Sequence, residues 1–344
     1  MVTQLLSSGD RALARAFIEA QGLAFEPGFD DLVGAFEAGV LVAAGARAGD
    51  VLKMLAIDPA WQSGALLGEV AGELVRLGLA AGHDGLFVFT RPAHAPSFEA
   101  LNFKLLCSRA QVALLEYGGR FDRWRAAAEA LRGPPGDSPD RTAGAVVLNA
   151  NPFTLGHRWL VEEAARRCER LFLLVVREDR SAFPFEARLR LVREGTRDLA
   201  GVVVLDTGPY AVSAITFPAY FLKATDPVAE IQMELDLALF GQRLAPALGV
   251  TRRFVGTEPY CATTRAYNRA MQRVLPAYGV EPVELPRRQV GGLPISASTV
   301  RDALARGDEG ALPALVPPAT LEYLLSDEGR AIRARLGGGK GRHA

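Results

Sequence analysis

From residue 144 onward, short unbroken apolar runs alternate with longer stretches that are apolar on one side only. AVVLNA is followed by a helical pattern through HRWLVEEAARRCER, and LFLLVV by FEARLRLVREGTRDL. VVVL precedes VAEIQMELDLALFGQRL, where Val228, Ile231, Leu235 and Leu239 recur at the 3.6-residue period of a helix. RRFVG, a helix around RAYNRAMQRVL and the strand EPVEL complete the series. Such runs, joined through helices, require a parallel sheet covered on both faces. Its ligands are expected beyond the carboxyl ends of the strands.

The segment GPPGDSPD at 133–140 places three prolines and two glycines in eight residues, which neither a helix nor a central strand can absorb. It predicts a first domain over 1–132, a linker over 133–141, a second domain over 142–328 and a tail over 329–344. A chain of 344 residues suits two domains. In the first, VLVAAGARAG and VLKMLAIDP read as strands around a glycine-containing turn. WQSGALLGEVAGELVRLGLAAG opens a helix with Leu67, Val70, Leu74 and Leu77 on one face, and GLFVFT is a further strand. FEALNFKLL reads as a helix and QVALLEYG as a closing strand, giving an α+β unit.

Charge and cysteine content exclude several function classes. Lys and Arg total 39, as do Asp and Glu, so no basic field is available to grip nucleic acid. Cys107, Cys168 and Cys261 form no CxxC and have no His at ligand spacing, which argues against a protein metal site; so sparse a set suits a reducing compartment. The densest apolar stretch, 64–82, is broken by Glu69, Glu73 and Arg76, short of the ~20 residues of a membrane span. MVTQLLSSGD lacks the basic start and apolar core of a signal peptide. The expectation is a cytoplasmic protein with no membrane partner.

Two constellations carry chemistry. After the strand AVVLNA come Asn149, Asn151, Thr154, Gly156 and His157. A strand feeding a Gly-His pair at a helix start gathers free N–H groups, a positive dipole end and an imidazole, a combination suited to a polyphosphate. Thr154 and His157 are three apart, so one turn can present both. After EPVEL, Ser296 is a good N-cap, Ser298 and Thr299 sit in the first helical turn, and Arg301 shares a face with Ser298. Separately, His157 also reads as a polar first-turn residue and ISASTVR as a capped helix with a surface arginine. Together they make a two-sided phosphate clamp.

TLGH with ISASTVR resembles the (H/T)xGH and ISSTxxR motif pair of the HIGH-type nucleotidylyltransferase superfamily. The wider set NPFTLGH, VREDRSAFPF, TFPAYFLK, RFVGTEPYCATTRAYN and ISASTVR is similar to the citrate lyase ligase family over residues 144–308. That family carries an acetyltransferase-like (GNAT) domain in front, and Gln62, Gly64 and Gly68 of QSGALLG resemble the acyl-CoA pyrophosphate loop of that fold. The resemblance implies an α/β chain: a C-terminal doubly wound, Rossmann-like parallel-sheet domain behind a smaller α+β GNAT-like domain.

The resemblance further implies an AMP-forming acid–thiol ligase that uses ATP and Mg2+. Acetate attacks the α-phosphorus of ATP, pyrophosphate leaves, and a thiol then takes the acetyl group from acetyl-adenylate. In the family that thiol belongs to the phosphoribosyl-dephospho-CoA arm of the citrate lyase acyl carrier (gamma) subunit. It assigns His157 and Thr154 to the α/β-phosphates, and Ser296, Ser298 and Arg301 to the β/γ end. Asn149, Asn151, Gly156 and Thr299 complete the ATP site, with Mg2+ bridging the phosphates. Thr154 stands where the wider superfamily often has His, as it does in the ligase family.

Other positions stay open. Gly256, Thr257 and Glu258 follow a strand at the edge suited to ribose or adenine, although a solvated loop Glu fits equally. Lys223 reads as a phosphate-binding point charge or as an exposed helix-end lysine. Cys261 has no adjacent His and reads as a bystander. The alternatives are an adenylyltransferase of the pantetheine-phosphate or nicotinamide-nucleotide type, an acetate ligase for a malonate decarboxylase carrier, and a non-catalytic acetyl-CoA module.

Overall fold

The computed structural model describes residues 2–62, 65–132, 142–177, 181–211, 220–222, 227–258, 261–287, 289–290 and 293–338. Gly64, Lys223, the linker and the last six residues lie outside that set. The chain forms two units, residues 1–126 with 212–239, and residues 127–211 with 240–344.

The first unit carries strands β1 (Val2–Gln4), β2 (Asp31–Glu37), β3 (Val40–Ala48), β4 (Val51–Ile57), β5 (Leu86–Thr90), β6 (Lys104–Arg109) and β7 (Val112–Tyr117). They form one sheet in the order β1-β2-β3-β4-β5-β7-β6. Its helices are α1 (Ser8–Ala20), α2 (Leu66–Ala80) and the short α3 (Ala95–Glu99); α4 (Arg120–Arg132) runs across the unit boundary. All neighbours pair antiparallel except β4 and β5, whose parallel ladder is limited to Val51–Phe87 and Leu52–Val88. Beyond that point the two strands are unpaired with each other. This is the acetyltransferase-like arrangement that the sequence leads one to expect. Val70 and Leu74 of α2 pack with Val33, Leu86 and Leu115 in its core.

FEALNFKLL is not one helix. The helix α3 stops at Glu99, Asn102 takes a left-handed φ of 65°, and β6 begins at Lys104. Asn tolerates that conformation better than most residues. The Phe103 N–H closes the helix on the Phe98 carbonyl, and the two rings meet edge-on with centroids 5.7 Å apart.

The second unit has five strands, β8 (Ala143–Leu148), β9 (Arg170–Val175), β10 (Val202–Asp206), β11 (Val250–Gly256) and β12 (Glu281–Leu285). They form a wholly parallel sheet ordered β10-β9-β8-β11-β12. Around it run α5 (Leu155–Ala165), α6 (Phe185–Thr196), α8 (Ala245–Leu248), α9 (Ala262–Val274), α10 (Ala297–Arg306), α11 (Pro318–Leu325) and α12 (Asp327–Gly338). Leu171, Phe172, Leu173, Leu174 and Val175 are all buried, which explains the unbroken apolar run. The strand order reverses at β8, so a crevice opens between the carboxyl ends of β8 and β11.

Two boundaries differ from the sequence expectation. Helix α7 (Val228–Leu239), expected beside the parallel sheet, belongs to the first unit and packs on β6. Cys107 Sγ lies 3.9 Å from the Leu235 carbonyl and Arg109 pairs with Glu234 at 3.4 Å. A helical period reveals an apolar face but not the sheet that covers it. The tail expected from 329 is helical to Gly338, because Ile332 and Leu336 pack into the core of the second unit.

Candidate active site

The site is built at the carboxyl ends of β8, β11 and β12. Thr154 caps α5: its buried hydroxyl accepts the His157 N–H at 3.2 Å, while the Thr154 N–H donates to His157 Nδ1 at 3.1 Å. An Nδ1 that accepts leaves the proton on Nε2, an assignment made from this hydrogen-bond network. Burial, and secondarily the charge of Arg287, holds the imidazole pKa down to about 4. His157 is therefore a neutral ring with an Nε2–H donor. Thr154, expected to reach a phosphate itself, is buried on the cavity wall and orients the ring.

Gly156 brings the two motifs together. A Cβ there would run into the backbone carbonyl of Ile295, so only glycine lets the start of α5 lie against the segment leading into α10. On the α10 side, Ser296 Oγ accepts the Thr299 N–H at 3.1 Å and lies 2.8 Å from the Thr299 hydroxyl. Ser296 and Thr299 form the cap. Ser298 and Arg301 face outward, with Arg301 Nη2 donating to Ser298 Oγ at 3.3 Å and Nη1 to the Asn151 carbonyl at 2.7 Å.

Between them lies a cavity of about 440 Å3. It is lined by Asn149, Asn151, Thr154, Gly156, His157, Gly256, Glu258, Ser296, Ser298 and Arg301, among the expected residues, and also by Trp159, Cys261, Thr264 and Arg287. Thr257 and Thr299 are not on its wall. The Thr257 N–H is bound to the Leu285 carbonyl. The Glu258 carboxylate, expected at ribose or adenine, is already engaged by the Cys261 N–H at 3.0 Å and by Arg287. Among the described residues no group of three His, Cys, Asp or Glu could hold a metal ion. The expected Mg2+ is one that the ATP phosphates themselves would hold, and no step is assigned to it.

Sequence reasoning missed Arg188 and Arg287. Arg188, in α6, is fully buried and donates to the carbonyls of Phe183, Asn149 and Val176 and to Asn149 Oδ1, at 2.7–3.0 Å. Asn151 Oδ1 accepts the Phe183 N–H at 3.1 Å. Both asparagines thus hold the loop after β8 in shape. No motif marks either arginine; the one signal for Arg287 is its place just after EPVEL, at the same sheet edge as the motifs.

A model of the family described as "Citrate lyase ligase C-terminal domain" matches residues 143–324. A citrate (pro-3S)-lyase ligase of Klebsiella pneumoniae is 43% identical over 290 residues, 83% of this chain and 84% of that protein. The chain belongs to the citrate lyase ligase family. The ligase of that name from Escherichia coli (strain K12) is 39% identical over 83% of this chain and 81% of its own length. Among solved structures, a Desulfovibrio desulfuricans protein described as a GNAT acetyltransferase aligns with 34% of this chain and 98% of its own, at 18% identity and a TM-score of 0.29. As a member of this ligase family the chain is an enzyme.

The first unit has its own cavity, of about 500 Å3, where β4 and β5 cease to pair. Gln62, Ile57, Thr90, Ser97, Tyr220 and Phe221 contribute to its wall. Tyr220 and Phe221 are buried, and the Tyr220 hydroxyl donates to the Phe89 carbonyl at 2.9 Å. Gly68 lies in the first turn of α2 rather than in a loop, and among the described residues no side chain caps the N–H groups there. Among the described residues, no helix is long and apolar enough to cross a membrane.

Proposed function

We propose that the second unit joins acetate to AMP from ATP, releasing pyrophosphate, and that the acetyl group then passes to the thiol of the phosphoribosyl-dephospho-CoA arm on the citrate lyase acyl carrier subunit. The observation that carries this reading is the Gly156–Ile295 approach, which sets His157, Ser298 and Arg301 around one cavity. Little covalent work falls to the protein, so positioning and electrostatics supply the rate. The N–H groups of Gly156, Ala297 and Ser298 have no partner among the described residues and stand at two helix starts, where anions are stabilised. Arg301 makes no ion pair among the described residues, so its full charge is available to the polyphosphate. The neutral His157 donor suits oxygens whose charge grows as pyrophosphate departs. The test is acetate-dependent exchange of labelled pyrophosphate into ATP by the purified chain. Exchange without acetate dependence, or none at all, would reject it.

The cavity of the first unit fits the thiol arm, with the free N–H groups at the start of α2 near the arm's pyrophosphate. A cut near residue 140 cannot test this, because 212–239 folds with the first unit. Filling the cavity does. Ser97→Trp should leave acetate-dependent exchange within about twofold of wild type, since remote binding is separate from adenylation, while acetyl transfer to the carrier falls at least ~10-fold. Equal transfer by the folded variant would dissociate the cavity from the thiol arm.

Cys261 is exposed at the start of α9, where hydrogen bonds from the Thr264 side chain and then its backbone lower the thiol pKa; burial raises that of Cys168, and Cys107 is buried. Iodoacetamide should therefore label Cys261 first, and saturating ATP should slow that labelling. Peptide mapping that finds Cys261 labelled equally fast with ATP present would place the nucleotide elsewhere.

A further inference from the structure

Arg287 lies two residues beyond β12 and reaches across the end of β11. Its side chain packs over Gly256, where a Cβ would make ordinary contact at 3.5 Å from Arg287 Cγ and 3.7 Å from Nε. Its Nε–H donates to the Thr257 carbonyl at 2.6 Å and its Nη2 pairs with Glu258. Glu258 is itself tied on both oxygens, with its side chain 7% exposed and its other oxygen accepting the Cys261 N–H. Two of the three guanidinium nitrogens are thereby fixed. The third, Nη1, has no partner among the described residues, and the arginine lines the cavity that also holds His157.

The two arginines of this cavity are prepared differently. Arg301 is bound only to neutral oxygens and keeps its full charge, which suits ground-state attraction of a polyphosphate. Arg287 is neutralised by a buried carboxylate, so it adds little long-range pull. It offers instead a donor held in one direction, the arrangement that favours a transition state over a bound ground state. At the reacting centre a carboxylate and the α-phosphate, both anionic, must come within bonding distance, and a hydrogen-bond donor fixed in direction stabilises the charge on the α-phosphate oxygen at short range.

We propose that Arg287 is a catalytic residue whose Nη1 donates to a non-bridging oxygen of the α-phosphate during adenylation, and that Glu258 is the positioning residue that aims it. This rests on the reading of the second unit as the adenylating site. The acetate oxygen forms a bond to the α-phosphorus while the bond to the pyrophosphate oxygen breaks. Pyrophosphate leaves with the electron pair, and Arg287 remains protonated throughout.

The experiment compares wild type with Arg287→Gln, Arg287→Lys and Glu258→Gln in acetate-dependent ATP–pyrophosphate exchange. Arg287→Gln should lower kcat about 100-fold with KM for ATP changed less than about threefold. Arg287→Lys should recover little, because a point charge cannot pair with Glu258 and also present a second fixed donor. Glu258→Gln should lower kcat about 10-fold while leaving ATP binding intact. A second readout needs no activity. With the neighbouring positive charge gone, the His157 ring of unliganded Arg287→Gln should titrate higher by NMR than in wild type, which checks that the two side chains share the cavity; an unmoved ring would place Arg287 away from it. Exchange kcat within about threefold of wild type in Arg287→Gln would overturn the proposal, as would an equal loss of kcat and ATP affinity. A rise in KM for acetate at unchanged kcat would assign Arg287 to the carboxylate and also overturn it. Failure of the underlying reading is separate, since wild type would then show no acetate-dependent exchange.

Discussion

Replacing His157 by alanine is expected to lower acetate-dependent ATP–pyrophosphate exchange about 100- to 1000-fold, the usual cost of one transition-state donor. ATP affinity should change far less, because Arg301, Ser298 and the helix N–H groups contact the phosphates before reaction. The fold should persist. The lost partner of the Thr154 N–H costs about 1 kcal/mol, small against a stability of roughly 5–15 kcal/mol. Synthetic acetyl-adenylate should bypass the defect and restore thioester formation. The pH behaviour follows from the same ring. Its folded pKa of about 4 is below the unfolded value of 6.5, so its contribution to stability is present above pH 6.5 and lost as pH falls toward 4. His157→Ala should flatten that part of the stability curve. Exchange should show no ionisation of this group between about pH 5.5 and 8, because the ring stays neutral. Exchange within twofold of wild type, in a folded variant that binds ATP, would make His157 a simple capping residue.

Replacing Arg188 by leucine is expected to destabilise the second unit by about 3–5 kcal/mol. The carbonyls of Phe183, Asn149 and Val176 lose this donor while Asn149 Oδ1 keeps the Ser181 hydroxyl, and each acceptor left unpaired away from water costs about 1–3 kcal/mol. Removing a buried charge returns part of its desolvation cost, which keeps the net below the sum. Thermal denaturation should show a Tm lower by on the order of 10 °C. Arg188→Lys should recover only part, since one ammonium cannot span the carbonyls of Phe183, Asn149 and Val176. The site should suffer as well, because Asn149 borders the cavity. A Tm within about 2 °C of wild type would mean that these acceptors find other partners.

What was legible in the sequence was what local chemistry decides. AVVL and LFLLV are central strands because every residue there is apolar, and Thr154 and Ser296 announce helix starts by their capping oxygens. The pairing of the two motifs was readable through family resemblance. Its cause, the contact of Gly156 with Ile295, is a tertiary approach that spacing alone does not encode. Long-range partnership was not legible. Leu235 has the same periodicity whichever sheet covers it, and Arg287 gains its role only because Glu258 and Thr257 stand across from it in space. Ile332 was hidden in an Arg- and Gly-rich tail because two apolar residues one turn apart are too few to announce a packed helix.

Adenylation of acetate by the second unit makes a direct prediction about atoms. With acetate labelled by 18O in both carboxylate oxygens, one labelled oxygen should form the bridge to the α-phosphorus. It should stay with AMP when the carrier thiol attacks the carbonyl. Mass spectrometry of the products from the full chain, ATP, labelled acetate and the carrier subunit should find one 18O in AMP and none in pyrophosphate. Unlabelled AMP, or label in pyrophosphate or inorganic phosphate, would contradict attack at the α-phosphorus.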